Sequence, residues 1–229
     1  MEFGYWGLKG AGEPTRWIGA YLGIQWTEYN PASREEWFGS KKAEVGGAFP
    51  NLPYLKDGDF VLTESSAIPV YLAHKANRTD LLGNDAKEQA IVRQIEGVLG
   101  DIRQAVMKVL FAPGDKKEEL KKALGEGGVV HTKAGLLSKF LGTKEFFLGH
   151  VTLADFAYAY LCELVCALSA SFDLECSLCS SENLCGLCKR VTSLQGIKEL
   201  HEKRLEVPFM PPQMLDFHFK TSAEAKKCC

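Results

Sequence analysis

The polar and apolar positions divide this chain into two unlike parts. In the first, short apolar runs alternate with helical stretches. Residues 2–7 form a short aromatic run that reads as a strand. Gly10-Ala11-Gly12 reads as a loop, and Glu13-Pro14 opens a helical pattern to Leu22, with Pro14 early enough that its missing N–H costs nothing. Residues 26–29 alternate as a second strand. Residues 51–55 and 60–63 flank Lys56-Asp57-Gly58-Asp59. An Asp-Gly between two apolar runs predicts a hairpin whose two central turn residues both take positive φ. Ser65 or Ser66 then caps a helix to about Ala76. This order, β-α-β, a segment, then β-β-α, predicts a mixed sheet with helices.

Beyond Arg78 the period changes. Ile91, Ile95, Val98, Ile102, Val106 and Val109 recur every three or four residues and predict one stripe of a long helix. Helical patterns continue over residues 116–140, 153–169 and 183–203. Thr152 stands three before Asp155 at the start of an apolar run, a capping-box pattern with Asp in place of Glu. The polar segment 77–85 marks the boundary. The expected fold class is α/β plus all-α, with a mixed α/β domain at 1–80 and a helical domain at 85–229.

Composition limits the function classes. With 229 residues, 46% hydrophobic and 24% charged, the chain is long enough for a full core. Lys plus Arg number 27 against 29 Asp plus Glu, a net charge of -2, which gives no electrostatic reason to expect a nucleic acid. No run of about 18 apolar residues is apparent, since residues 156–168 are broken by Glu163, so no membrane span is expected. The first residues lack the basic-then-apolar pattern of a signal peptide, and a cytoplasmic location is expected. In such a setting the eight cysteines are expected to be reduced thiols.

Four small groups carry candidate chemistry, and each has a plain alternative. Pro53 in Asn51-Leu52-Pro53 is either an edge proline or a cis-proline that turns the Leu52 backbone outward toward an extended ligand. Glu64-Ser65 precedes a helix, so Ser65 is either an ordinary cap or part of a carboxylate site at a helix N-terminus. Arg34, Trp37 and Lys41 share one helical face, either a solvated basic face or a second carboxylate site. Tyr5, beside Trp6, is either a packed strand residue or a phenol that donates to an anion.

Taken together, these groups resemble the cytosolic glutathione transferases, chiefly the mu class and the 26 kDa flatworm enzymes. The resemblance rests on Gly4-Tyr5-Trp6, on Glu13-Pro14-Thr15-Arg16, and on Phe49-Pro50-Asn51-Leu52-Pro53-Tyr54-Leu55, the most specific piece. Leu62-Thr63-Glu64-Ser65-Ser66-Ala67-Ile68, Asp101-Ile102-Arg103 and Gly149-His150-Val151-Thr152 with Asp155 extend it to about residue 205. It implies a thioredoxin-like N-terminal domain followed by a helical bundle carrying the electrophile site. It implies a detoxifying transferase that is a homodimer and uses glutathione as co-substrate, with no cofactor. By resemblance Tyr5 is the catalytic tyrosine. Trp6, Arg34, Trp37, Lys41, Asn51, Leu52, Pro53, Glu64 and Ser65 match glutathione contacts. Asp101 matches an acid that reaches the neighbouring subunit's glutathione. Phe49 matches an aromatic key at the dimer interface, and Met107 and Phe111 belong to the site for a hydrophobic electrophile.

The implied chemistry is thiol activation. A free thiol has a pKa of about 8.5, so only a few per cent is thiolate at neutral pH. Lowering it by about two units requires roughly 2.7 kcal/mol of preferential thiolate stabilisation. A phenol hydrogen bond to a charged sulfur, about 1.5–3 kcal/mol, is of that size. Tyr5 then acts as a donor and not as a base.

The sequence also departs from the mu pattern. The segment 29–34 is short, Phe111 replaces a tyrosine, Val70 replaces an arginine of the dimer axis, and the match is poor after Pro208. Cys176-x-x-Cys179 and Cys185-x-x-Cys188 suggest zinc, but ribbon sites separate their pairs further. The expectation is that these thiols pack as small hydrophobes and hold no metal. Lys226-Lys227-Cys228-Cys229 resembles a prenylation signal, with a disordered tail as the plain reading. A non-catalytic binding or structural subunit of the same fold is the alternative function. A cysteine-based oxidoreductase is disfavoured because Tyr5, not a cysteine, holds the catalytic position.

Overall fold

In the computed structural model, four short strands make one mixed sheet. They are β1 (Glu2–Gly4), β2 (Thr27–Tyr29), β3 (Tyr54–Asp57) and β4 (Phe60–Thr63), in the order β2-β1-β3-β4. Strand β2 runs parallel to β1, while β3 is antiparallel to both β1 and β4. A parallel pair needs a crossover, and helix α1 (Glu13–Tyr21) supplies it. The structure describes residues 1–215 and 217–225, and only the backbone of residues 115, 117 and 120.

The sheet has two apolar faces because strand side chains alternate. Phe3 and Leu55, paired across β1 and β3, point into the main core with Trp17 and Ile18 of α1. Ile68 and Leu72 of α4 (Ala67–Lys75) join them. Tyr54 points the other way and is buried with Trp37 and Val45 in a small second core. That second core is closed by the segment Arg34–Glu36 (α2), a π-turn over Trp37–Lys41, and Lys42–Val45 (α3). Gly4 is required here, since a Cβ would lie 2.0 Å from the Tyr54 ring.

The hairpin forms one residue later than its sequence suggests. Asp57 still pairs with Phe60, so the central turn residues are Gly58 and Asp59. Only Gly58 takes a positive φ, +60°. The turn therefore needs one left-handed residue, not two, and glycine supplies it.

The rest of the chain is helical. Helix α5 (Ala86–Leu110) buries Ile95, Ile102, Val106 and Val109 of the expected stripe, but Val92 and Leu99 are inside where Ile91 and Val98 were expected, and those two are only partly buried. The pattern over 116–140 is two helices, α6 (Gly114–Lys121) and α7 (Val129–Leu141), interrupted by a glycine-rich turn. Helix α8 (Leu153–Ser171) starts with the expected capping box, in which Asp155 accepts from Thr152 N–H and Oγ1 at 2.8 Å. The pattern over 183–203 is also two helices, α9 (Glu182–Thr192) and α10 (Ile197–Lys203). They break at Gly196, at φ +82°, where a Cβ would sit 2.3 Å from the Ala20 carbonyl oxygen.

Helix α8 corrects one expectation. It is 19 residues long with a mean hydropathy of 1.4, long and apolar enough by length and composition to cross a membrane despite Glu163. Some 83% of it is buried among the other helices, so its apolarity is that of a core helix.

Candidate active site

One row of residues crosses the sheet at a single end. Tyr29 pairs with Gly4, Gly4 with Tyr54, and Tyr54 with Thr63. Each strand leaves or enters the sheet just beyond that row. The residues next along the chain are Tyr5, then Leu52 and Pro53, then Glu64 and Ser65. Adjacent strands lie about 4.8 Å apart, so register alone gathers these candidates at one edge. Trp6 and Leu52 close the group by packing on the Trp37–Tyr54 core.

Tyr5 is buried, and its hydroxyl accepts a hydrogen bond from Ala11 N–H at 2.8 Å, one turn ahead of α1. Burial pushes the Tyr5 hydroxyl above its ordinary range, against the lowering effects of Ala11 N–H and the charges of Arg16 and Arg103. The phenol therefore keeps its proton at neutral pH and is available as a donor. Gly12 allows this geometry, because a Cβ there would lie 2.5 Å from the Tyr5 ring.

A buried arginine holds the loop that carries Tyr5's partner. Arg16 donates to Leu8 O at 2.8 Å, Trp6 O at 3.1 Å and Glu13 at 3.2 Å, and its Nε donates to Glu28 at 2.7 Å. Glu13, fully buried, also accepts from Arg204 at 2.9 and 3.0 Å, which ties α1 to the turn after α10. The motif Glu13-Pro14-Thr15-Arg16 by itself assigns neither Glu13 nor Arg16 a site role. Two opposite charges spaced i, i+3 at the start of an otherwise apolar helix were the available signal.

The Leu52–Pro53 bond is cis, as one reading of Pro53 expects. Neither the Leu52 N–H nor its C=O joins a backbone hydrogen bond among the described residues. Glu64 has φ +78°, in the left-handed region that a non-glycine residue rarely occupies. Its carbonyl accepts from Ala67 N–H and Ile68 N–H, and the start of α4 has no side-chain cap. Ser65, Ser66, Ala11, Arg103 and Tyr160 line a cavity of about 210 Å³ between α1, α4, α5 and α8. Of the proposed glutathione contacts only Ser65 lines that cavity.

Other candidates sit differently from expectation. Arg34 and Trp37 have different surroundings. Trp37 is buried and stacked on Tyr54 at 6.2 Å and 10°, whereas exposed Arg34 lies 5.1 Å over Phe38. Lys41 Nζ lies 4.8 Å over the Tyr29 ring. Asn51 is exposed. Asp101 is exposed on α5 and paired with Lys133 at 2.8 Å. Met107 follows Arg103 by one turn of α5, Phe111 is the exposed residue just beyond the end of that helix, and the charge of Arg103 acts on Tyr5.

The segment after α10 is part of the same neighbourhood. Lys9 N–H donates to Pro208 O at 2.9 Å and Gly10 N–H to Phe209 O at 3.0 Å. The Lys9 side chain, fully buried, meets Glu163 at 3.2 Å and Ser222 Oγ at 2.5 Å, and lies 4.6 Å over the Phe209 ring. Glu163 also pairs with His201. Burial tends to raise the Glu163 carboxyl, but the His201 hydrogen bond and the Lys9 charge hold it below its usual value. A depressed carboxylate stabilises the fold above the ordinary carboxylate range and loses that contribution as pH falls through its lower folded value. Amide protection factors over residues 217–225 should therefore be high at neutral pH and fall in moderate acid, and Glu163→Gln should lower them already at neutral pH. Equal protection in the variant and the wild type would show that Glu163 does not hold this segment.

The cysteines group differently from the sequence reading. Cys162 Sγ lies 3.3 Å from Cys179 Sγ, and Cys166 Sγ lies 3.4 Å from Cys179 and 2.7 Å from Cys176. The pair 176/179 thus meets 162/166 of α8. Cys185 is only half-buried, and Cys188 points at Ala159 O at 3.7 Å. Cys228 and Cys229 lie outside the described residues.

Comparison with known proteins fits this geometry. Residues 1–74 match the family model "Glutathione S-transferase, N-terminal domain", and residues 100–204 match "Glutathione S-transferase, C-terminal domain". The chain is 36% identical over 159 residues to a class-mu 26 kDa glutathione S-transferase isozyme of Fasciola hepatica, covering 68% of this chain and 69% of that one. It is 30% identical to a glutathione S-transferase of Dermatophagoides pteronyssinus, covering 91% and 93%. The crystal structure of the glutathione S-transferase Blo t 8 superposes with a TM-score of 0.78 at 27% identity, covering 94% of this chain and 98% of that one.

Proposed function

This chain belongs to the glutathione S-transferases, enzymes that join glutathione through its sulfur to electrophilic small molecules, and on that premise we propose a residue-level account of its catalysis. The observation that carries it is the buried, protonated Tyr5 hydroxyl beside Ala11 N–H at the sheet edge. Tyr5 donates to the glutathione sulfur and stabilises the thiolate, which attacks the acceptor. The open Leu52 backbone pairs with the cysteinyl backbone of the tripeptide. The uncapped start of α4 at Ser65, with Glu64, receives the γ-glutamyl end, because free N–H groups and the helix dipole favour a carboxylate. Trp6, Arg34, Trp37, Lys41, Asn51 and Pro53 complete the glutathione side. Met107 of α5 and Phe111 just beyond its end form the apolar wall for the electrophile.

We place the boundary between the glutathione-binding domain and the helical domain within residues 80–85, and the enzyme in the cytoplasm as a detoxifying catalyst that needs no cofactor. Purified protein mixed with glutathione and an electrophilic haloarene should release halide and form the thioether at a rate saturable in both. Glutathione bound tightly with no turnover of any acceptor would instead support a binding subunit.

The active unit is a homodimer. Phe49 is 77% exposed in the single chain, on a loop where a large apolar side chain gains nothing from water. Burying it in a partner contributes roughly 1.5–3 kcal/mol per side, and two-fold symmetry makes the contact twice. Asp101 then acts across the interface once it exchanges Lys133 for the neighbour's glutathione. Phe49→Ser should shift sedimentation toward monomer and lower activity most at low protein concentration. A wild type that sediments as a fully active monomer would overturn both assignments.

A further inference from the structure

We propose that Cys162, Cys166, Cys176 and Cys179 form a tetrathiolate site for a soft divalent cation, with Zn²⁺ as the resident metal, under the segment after α10 and apart from the active site. Cys162 and Cys166 are one turn apart on the same face of α8. Cys176 and Cys179 flank the short turn Ser177–Cys179, which docks on that face. The spacing C-x3-C, nine residues, C-x2-C thus brings two local pairs together from two rigid elements, a common plan for structural zinc sites.

The sulfurs are grouped closely enough for one metal ion to reach them. In a filled tetrahedral site with Zn–S of about 2.3 Å, sulfurs stand about 3.8 Å apart. Here Cys162, Cys166 and Cys179 offer Sγ atoms that all lie within 4.8 Å of one another. The separations of 3.3 Å for Cys162–Cys179, 3.4 Å for Cys166–Cys179 and 2.7 Å for Cys166–Cys176 are all shorter than that, so these sulfurs spread apart on taking the metal, with Cys176 joining the other three through its contact with Cys166. Four soft thiolates select zinc or a similar d¹⁰ ion over magnesium or calcium.

Access and charge are also provided. A cleft of about 650 Å³ reaches Cys176 and Cys179 from the surface. Asp173, Glu175 and Glu224 on its walls attract a cation, and Lys220 on the same wall offsets part of the negative charge of a zinc tetrathiolate. Against the expectation of reduced thiols, Cys179 is disulfide-bonded in this structure, to none of Cys162, Cys166 and Cys176, so the site belongs to the reduced protein. Breaking that bond takes two electrons and two protons and returns two thiols, and two molecules of a thiol such as glutathione supply both as they join in their own disulfide. The thiol protons leave when the metal binds. Of the four sulfurs only that of Cys179 has to be released by reduction before the metal binds.

The test uses the full chain, reduced and freed of metal, with zinc chloride and then cobalt(II) chloride as the probes. Native mass spectrometry should find one zinc per chain retained through dialysis, and cobalt should give the intense visible bands of a tetrahedral thiolate site. Cys162→Ala and Cys176→Ala should each lower zinc affinity at least tenfold and abolish those bands, while Cys185→Ala keeps both. Wild-type spectra carry the test if either variant fails to fold. Reduced wild-type protein that takes up no zinc from excess, or zinc that Cys162→Ala and Cys176→Ala retain unchanged, would overturn the site.

Discussion

Replacing Tyr5 by phenylalanine should lower kcat/KM for glutathione conjugation by roughly 10- to 150-fold, the loss of a charge-assisted hydrogen bond of about 1.5–3 kcal/mol. The ring stays where it is, packed over Gly12, so thermal stability and glutathione affinity should change little. Ala11 N–H, which Tyr5 now receives, turns to water or to the ligand. The diagnostic is the pH profile. In the wild type the rate should reach its plateau near neutrality. In Tyr5→Phe the bound thiol reverts toward about 8.5, so the inflection should move up by one to two units and the rates converge at high pH. A profile that drops uniformly without shifting would mean that Tyr5 positions the sulfur but does not ionise it.

A larger effect on the fold is expected from Arg16→Met. The guanidinium holds the carbonyls of Trp6 and Leu8 and the carboxylates of Glu13 and Glu28 inside the protein. Removing one partner of a buried charged network costs about 3–5 kcal/mol, because the other charges are left uncompensated. For a chain of this size that is a fall in Tm of roughly 6–20 °C. Activity should fall as well, since residues 6–12 carry the N–H that Tyr5 uses. Glu28→Gln in the same chain should recover part of the stability, as it removes one of the stranded charges. A single variant within about 2 °C of the wild type would show that Arg16 is not central to this loop.

Much of this was legible in the residues. The apolar stripe of α5, the capping box at Thr152 and the β-α-β, β-β-α order follow from local period and local hydrogen-bond chemistry, which depend on near neighbours alone. The site candidates Tyr5, Leu52, Pro53, Glu64 and Ser65 were also named from sequence. Their assembly at one sheet edge follows from strand register, since each stands just beyond the row 29, 4, 54 and 63.

What tertiary structure alone decided is of a different kind. The hairpin turn moved by one residue because the pairing of Asp57 with Phe60 fixes which two residues are central. Trp37 is buried because Tyr54, seventeen positions away, offers a flat apolar surface to stack on. Lys9 and Glu163 are 154 positions apart, and nothing near either one announces the other. The cysteines make the contrast plainest. Sequence proximity grouped 176 and 179 with 185 and 188, while packing of the Ser177–Cys179 turn on α8 grouped them with 162 and 166. Local free energies choose helix, strand and cap because each is settled within a few residues. Which polar and sulfur atoms meet is settled by how the finished elements pack, and that information is spread over the whole chain.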